Sequence, residues 1–230
     1  MSADRQPSGP VAIAGHPVEI AGRYRVRRRI GEGGMGVVYE CEHVLSKKRL
    51  AVKVLYPHLC HGAQAVERFR REVSAAAEID HPGIVQVFDA GVDTDGSFYM
   101  AMELLEGQSL AQRIRERWPS THEAVDLVRQ LLAPLGRAHE RGFVHRDIKP
   151  ENLFLVRDPA GGRASLKLLD FGLAREVQRK GPTLTGITFG TPEYMSPEQA
   201  MSAKKAGLPS DVWAIGVLLY ELLTGFHPFD

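Results

Sequence analysis

The chain has 230 residues, of which 43% are hydrophobic and 25% charged, as in an ordinary soluble globular protein rather than a disordered one. The 29 basic and 28 acidic residues leave a formal net charge of +1, which excludes the strongly basic footprint of a nucleic-acid or anionic-membrane binder. Two cysteines are too few for a disulfide framework. The sequence contains no apolar run of about 18 residues, the length that would indicate a membrane-spanning segment.

The first hundred residues are expected to form a mostly antiparallel sheet with one major helix. Residues 1–21, rich in Ser, Pro, Gly and Ala, are predicted to be a disordered leader. A helix is predicted over residues 64–79, where apolar side chains recur on one stripe. Strands are predicted over residues 24–30 (an edge strand), 37–39, 50–55, 85–92 and 98–103.

After Gly107 the pattern becomes helical. Apolar residues at 3/4 spacing around Leu131 predict an amphipathic helix, which Pro134 is expected to kink. A polar loop region over residues 145–210 leads to a last helix over about 211–224, which is apolar nearly all round and therefore expected to be buried.

The predicted fold class is α+β with two lobes. A domain over residues 22–230 is expected to contain a small antiparallel β-rich lobe and a mainly helical lobe. Their predicted bounds are 22–103 and 108–230, with a connector over 103–107.

Three glycines form the motif Gly31-x-Gly33-x-x-Gly36, which opens a strand rather than a helix and has no following Gly-Lys-Ser/Thr. It therefore fits neither a dinucleotide-binding fold nor a P-loop. A glycine hairpin between two strands can bring backbone N–H groups close to phosphate oxygens, because no side chains intervene. Taken alone, the motif favours an ordinary flexible hairpin over a phosphate-binding one.

Lys53 lies within the apolar strand Ala51-Val52-Lys53, where burying an ammonium is costly unless it meets an anion. Glu72 on the predicted helix could hold Lys53 toward phosphate. Because arginines flank Glu72 on its N-terminal side, a surface ion pair is the alternative, and spacing alone favours that alternative.

The loop from His145 to Asn152 combines a carboxylate, a cation and an amide in Asp147, Lys149 and Asn152, and Asp170-Phe171-Gly172 follows it. Phosphoryl transfer needs metal ligands, cations that offset charge on the transferred group, and a carboxylate that orients a hydroxyl. These two motifs supply all three.

The ordered set of motifs resembles the eukaryotic-type (Hanks-type) serine/threonine protein kinases, with Ser196-Pro197-Glu198 in place of the usual Ala-Pro-Glu. The resemblance covers residues 24–230, and the Glu-Gly-Gly-Met-Gly loop and the closing helix are similar to bacterial members. It implies the bilobal kinase fold and use of ATP with Mg²⁺, for which Mn²⁺ could substitute.

The resemblance also implies roles for individual residues. Lys53 would bind phosphate while paired with Glu72, Asp147 would orient the substrate hydroxyl, and Lys149 would contact the γ-phosphate. Thr191 would bridge Asp147 and Lys149, and Asn152 and Asp170 would be the metal ligands. ATP would contact Ile30, Gly31, Glu32, Gly33, Gly34, Met35, Gly36, Val38, Ala51, Lys53, Met102, Glu103, Leu105 and Phe154; for the aliphatic members, simple core packing is the alternative.

Lys149 and the segment Gly190–Glu198 are similar to the branch of the family that phosphorylates serine and threonine of protein substrates. Arg146 beside the catalytic aspartate implies activation by loop phosphorylation, because an arginine can pair with a phosphothreonine. Thr183 or Thr185 is the predicted site of autophosphorylation, ahead of Thr188. Two copies of the chain could associate to carry out this autophosphorylation. Unmodified loop threonines are the alternative.

Kinases of this family continue through further helices after the position of Asp230. We therefore expect an incomplete helical lobe, an unpaired Glu198, and uncovered side chains at Leu219, Leu222 and Phe226. The alternative function is an inactive, nucleotide-binding scaffold, and small-molecule phosphotransfer is a weaker third. A cytoplasmic location is expected. The cluster His58-Leu59-Cys60-His61 is interpreted as a loop rather than a metal site, and His139 as a packed helix residue.

Overall fold

The computed structural model describes residues 18–62, 78–169, 192–202 and 205–229, together with residues 66, 67, 69 and 73. Some predicted site residues lie outside these ranges, and their roles stay predictions: Glu72, Asp170, Thr183, Thr185, Thr188 and Thr191. The described residues of the predicted 64–79 helix are helical at Val66, Glu67, Phe69, Val73 and Glu78.

The chain forms two units, one from Met1–Cys60 with Asp89–Leu104 and the other from His61–Phe88 with Leu105–Asp230. The sequence had placed the whole of 61–88 in the β-rich lobe, so that boundary differs. The physical reason lies at Ile84, which forms a parallel β-bridge with Leu168 and is buried in the core of the second unit. The N–H of Val85 also donates to the Leu168 carbonyl at 3.1 Å.

The sheet of the first unit has the strand order β1-β2-β3-β4-β6-β5. The pairs β1–β2, β2–β3, β3–β4 and β4–β6 are antiparallel, as the sequence predicted for this lobe. The strands are β1 (Glu19–Ile20), β2 (Tyr24–Gly33), β3 (Gly36–His43), β4 (Arg49–Leu55), β5 (Val87–Val92) and β6 (Phe98–Met102).

Strand β1 lies inside the segment that the sequence assigned to a leader. Ile20 is fully buried and pairs with Tyr24, so the fold begins before the predicted boundary at residue 22. Because residues 18–20 cover the start of β2 as far as Val26, the predicted edge strand is, among the residues that the structure describes, an edge only beyond Val26.

The second unit combines a three-stranded antiparallel sheet, of order β7-β8-β9, with helices. The strands are β7 (Gly107–Ser109), β8 (Leu153–Val156) and β9 (Ser165–Leu168). The α-helices whose bounds the structure describes are α1 (Leu110–Glu116), α2 (Thr121–Glu140), α3 (Pro197–Met201) and α4 (Leu208–Thr224). Capping boxes start α1 at Ser109 and α2 at Ser120, which satisfies backbone N–H groups that the first turn leaves without partners. Helix α2 continues through Pro134 to Glu140.

Helix α4 is not buried all round, contrary to the expectation from its composition. Leu218 and Leu222, four residues apart, are 1% exposed in the core of the unit, so Leu222 is covered. On the other face Val212 is 62% exposed and Leu219 is half-buried, and Phe226, just after the helix, is 74% exposed, so apolar side chains in this region meet solvent. None of the helices among the described residues is both long enough and apolar enough to cross a membrane.

Candidate active site

The glycine motif forms the tight turn between β2 and β3, as predicted. Gly31 pairs with Val38 and Gly33 with Gly36, so the two arms stay in register up to the turn. We call residues Gly31–Gly36 the glycine hairpin.

The three motif glycines differ in what a side chain at each position would meet. A Cβ atom on Gly36 would lie 2.0 Å from the Val54 carbonyl oxygen, because Gly36 pairs with Leu55 on β4. A Cβ atom on Gly33 would meet nothing within 4 Å, and one on Gly31 would touch only the Val38 Cβ at 3.8 Å. Gly36 is therefore a packing requirement, whereas Gly33 leaves open space over the hairpin.

Replacing Gly36 by Ala is expected to destabilise the chain by about 2–3 kcal/mol, because a backbone oxygen cannot move aside as a flexible side chain can. The matched change Gly33→Ala should leave stability within about 1 kcal/mol of the wild type. Urea unfolding of both variants measures the difference. Equal stability of the two would contradict the assignment of Gly36 to packing.

Lys53 lies on the face of the sheet opposite to the core of its unit. Its neighbours Val52 and Val54 pack in that core, so by strand alternation Ala51 and Lys53 point the other way. Lys53 is opposite Val38 on β3, and Ala51 is opposite Met102 on β6, which places all four on one face. Lys53 is only 7% exposed, so its ammonium lies in a site that favours an anion.

The acidic residue Glu40 lies on this same face and was missed by the sequence reasoning. It is opposite Ala51, 5% exposed, and accepts hydrogen bonds from Arg49 at 2.6 Å and from Arg28 at 2.8 Å. Although burial opposes ionisation, the two guanidinium groups hold the pKa of Glu40 below its usual range. The face that carries Lys53 therefore also carries a carboxylate whose charge is offset by two guanidinium groups.

Asp147, Lys149 and Asn152 are brought together in the second unit as the sequence predicted. The Asn152 amide Nδ2 donates to Asp147 Oδ2 at 2.9 Å and to the Asp147 carbonyl at 2.7 Å. Lys149 Nζ approaches the same Oδ2 at 3.2 Å. The Asp147 carboxylate is only 4% exposed and is held in one orientation by an amide and a cation.

The peptide groups on both sides of Arg146 are anchored by residues far along the chain. Arg146 has φ 65°, in the left-handed region that non-glycine residues rarely occupy, at a cost of roughly 1–3 kcal/mol. Its N–H donates to Asp211 Oδ1 at 2.7 Å, and its carbonyl accepts from Gln199 Nε2 at 2.7 Å. Helices α4 and α3 thus impose the turn that sets the direction of Asp147.

Asp211 collects three donors although it is only 1% exposed. It accepts the His145 N–H at 2.8 Å and His139 Nε2 at 2.8 Å, in addition to the Arg146 N–H. His139, interpreted from the sequence as a packed helix residue, therefore also ties α2 to this acceptor. The signal that could have revealed Asp211 is a single carboxylate at the start of an otherwise apolar helix.

His145 links the loop to the strand that leads to Asp170. Its Nδ1 accepts the Asp147 N–H at 3.3 Å, so Nε2 carries the proton and donates to the Leu169 carbonyl at 2.8 Å. The Leu169 N–H donates to the Asn152 carbonyl at 2.8 Å. Both peptide groups of Leu169 are therefore fixed to the loop, immediately before the predicted metal ligand.

Glu198 is not unpaired, which corrects the expectation from the sequence. Ser210, 1% exposed at the start of α4, donates its hydroxyl to Glu198 Oε1 at 2.6 Å. Hydrogen bonds from Ser210 and then Ser196 hold the pKa of Glu198 below its usual range. The hydroxyls of Ser210 and Ser196 therefore pair with the Glu198 carboxylate.

The other predicted nucleotide contacts are distributed over both units. Phe154 is half-buried on β8, and its neighbours Leu153 and Leu155 belong to the core, so it lies on the opposite face of that strand. Glu103 and Leu105 lie in an irregular, half-exposed segment, and Ile30, Glu32, Gly34 and Met35 surround the glycine turn.

Cys60, in the cluster His58–His61 that was interpreted as a loop, makes two hydrogen bonds through its sulfur. Its Sγ donates to the Tyr56 carbonyl and accepts the Phe98 N–H.

A family model described as the protein kinase domain matches residues 24–230. The chain is 42% identical over 216 residues to the serine/threonine-protein kinase pkn3 of Myxococcus xanthus, covering 92% of this chain and 39% of that protein. It is 38% identical over 215 residues to the serine/threonine-protein kinase PrkC of Bacillus subtilis, covering 92% and 32%. The crystal structure of the Mycobacterium tuberculosis PknI kinase domain matches with a TM-score of 0.73 at 30% identity, covering 96% of this chain and 78% of that one. The chain thus spans about a third of the length of the two curated relatives.

Proposed function

The chain belongs to the protein kinase family, and on that premise we propose that it transfers the γ-phosphate of ATP to serine or threonine hydroxyls of proteins. Membership of the family confirms the resemblance and the fold class predicted from the sequence. The serine/threonine class rests on the names of the relatives and on Lys149, the residue type that this branch carries two positions after the aspartate.

The observation that carries the proposal is the arrangement around Asp147. A carboxylate with one oxygen held by Asn152 and Lys149 can accept the proton of an incoming hydroxyl as its oxygen attacks phosphorus. Lys149, beside that carboxylate, would also offset charge on the transferred group. The inactive-scaffold alternative is not favoured, because a scaffold needs no such constellation.

The residues fit Mg²⁺ and ATP by their donor types. Asn152 binds Asp147 through Nδ2, so its amide oxygen Oδ1 is not used in these two hydrogen bonds. Mg²⁺ prefers oxygen ligands of this kind. When bound, Mg²⁺ neutralises charge on the phosphates. We assign Asn152 and Asp170 to the metal and Lys53 and the glycine hairpin to the phosphates, with Glu72 as the partner of Lys53.

Regulation is proposed to follow from phosphorylation of Thr183 or Thr185, paired with Arg146. Thr191 would bridge Asp147 and Lys149 on the substrate side. The proposal also includes proteins as substrates and a cytoplasmic location. Mass spectrometry of active protein should find phosphate on one of these two threonines. Unmodified loop threonines in active protein would contradict this part of the proposal.

The activity is tested by incubating the chain with labelled ATP, Mg²⁺ and a generic basic protein, followed by acid hydrolysis and phosphoamino-acid analysis. Label on serine or threonine, absent from the Asp147→Asn variant, is the expected result. Equal label from the wild type and the variant would refute the proposal. Stabilisation by ATP without any transfer would support the scaffold instead.

A further inference from the structure

Tyr56, the first residue after β4, contacts both arms of the glycine hairpin. Its backbone N–H donates to the Met35 carbonyl at 2.9 Å, on the arm that leads into β3. Its side-chain hydroxyl donates to Glu32 Oε1 at 2.7 Å, on the arm that belongs to β2. One residue outside the motif therefore bridges the two sides of the turn.

The carboxylate of Glu32 is held on its other side as well. Arg29 Nη1 donates to Glu32 Oε2 at 2.6 Å, so each carboxylate oxygen has a donor of its own. The Tyr56 ring stacks on His58 with the ring centroids 5.8 Å apart and an interplanar angle of 16°. His58 sits in the short 3₁₀ turn Pro57–Leu59, and this stacking limits the positions available to the hydroxyl.

The tip of the hairpin, residues 32–34, has little packing that could restrain it. Gly33 has no atom within 4 Å of where a Cβ would be, and residues 32–34 are exposed. Glycine backbones have more conformational freedom to lose than any other, so an unrestrained glycine turn costs affinity when a ligand orders it. A restraint on Glu32 and Met35 removes part of that freedom before the ligand arrives.

We propose that Tyr56 is a positioning residue that holds the glycine hairpin, through Glu32, in the conformation that receives the phosphates of a nucleotide. The inference rests on the proposed function, since it takes the hairpin as the phosphate-binding element. The hydrogen bond to the Glu32 carboxylate also raises the pKa of Tyr56, so the hydroxyl remains a donor at neutral pH.

The variant Tyr56→Phe removes the hydroxyl and keeps both the ring and the backbone bond to Met35. Calorimetric titration should show ADP–Mg²⁺ binding about fivefold more weakly to this variant, the effect expected for one net hydrogen bond. The dissociation constant for adenosine, which lacks phosphates, should not change. Glu32→Ala, which removes the acceptor of the Tyr56 hydroxyl, should weaken ADP binding similarly, and the double variant should add little to either single change.

Tyr220→Phe, which removes a hydroxyl from the exposed face of α4, is the matched control and should bind both ligands as the wild type does. Unchanged ADP affinity in Tyr56→Phe would overturn the inference, as would an equal loss for adenosine and ADP, which would indicate a general structural effect. A wild-type chain that bound adenosine and ADP equally would contradict the phosphate-binding hairpin itself, and the positioning role would fall with it.

Discussion

Replacing Asp147 by Asn is expected to lower the rate of phosphate transfer by about 10²–10⁴-fold, the usual contribution of a positioned general base. An amide is nearly the same size as the carboxylate but cannot take the proton of the attacking hydroxyl. It also loses the ion pair with Lys149, whose Nζ lies 3.2 Å from Asp147 Oδ2. The measurement is the single-turnover rate at saturating ATP–Mg²⁺ with a protein substrate.

The same substitution at an exposed site provides the control. Asp95 accepts the Ser97 N–H at 2.8 Å in a turn of the first unit, and Asn can make that hydrogen bond equally well. Asp95→Asn should therefore transfer phosphate at the wild-type rate. If Asp147→Asn retained more than about a tenth of the wild-type rate, the role of Asp147 as proton acceptor would be wrong.

Replacing Asp211 by Ala is expected to have the next largest effect, on stability and turnover together. It would leave the N–H groups of His145 and Arg146 without their acceptor in a buried site, at a cost of about 3 kcal/mol or more. Arg146 would lose one of the two bonds that hold its left-handed backbone, so Asp147 would be misplaced and transfer would fall by about 100-fold. Urea unfolding and single-turnover kinetics measure the two effects.

Asp211→Asn should be milder in stability, because the amide keeps one acceptor oxygen, yet it should still slow transfer. The control is Asp126→Asn in α2, where the partner Arg163 has a 56% exposed side chain and the pair contributes less than about 1 kcal/mol. A wild-type transfer rate in the folded Asp211→Ala variant would show that the backbone anchor does not position Asp147.

The local chemistry and the sheet of the first unit could be predicted from the amino-acid sequence alone. The apolar residues around Lys53 predicted β4, and the cost of burying a lysine identified Lys53, because both depend only on residues adjacent in the chain. The close spacing of Asp147, Lys149 and Asn152 likewise sufficed to predict that they meet. Composition, in contrast, misjudged α4, since it cannot tell which face of an apolar helix the rest of the chain covers.

What holds these residues in place is visible only in the folded chain. Asp211 and Gln199 bind Arg146 from more than 50 positions along the chain, and Ser210 binds Glu198 from the next helix. Tyr56 binds Glu32 from the position just after β4. Hydrogen bonds of this kind depend on how elements pack rather than on any periodicity, so no pattern in one sequence predicts them. The chain sequence specifies which groups can do the chemistry, and the packing of distant elements sets their direction.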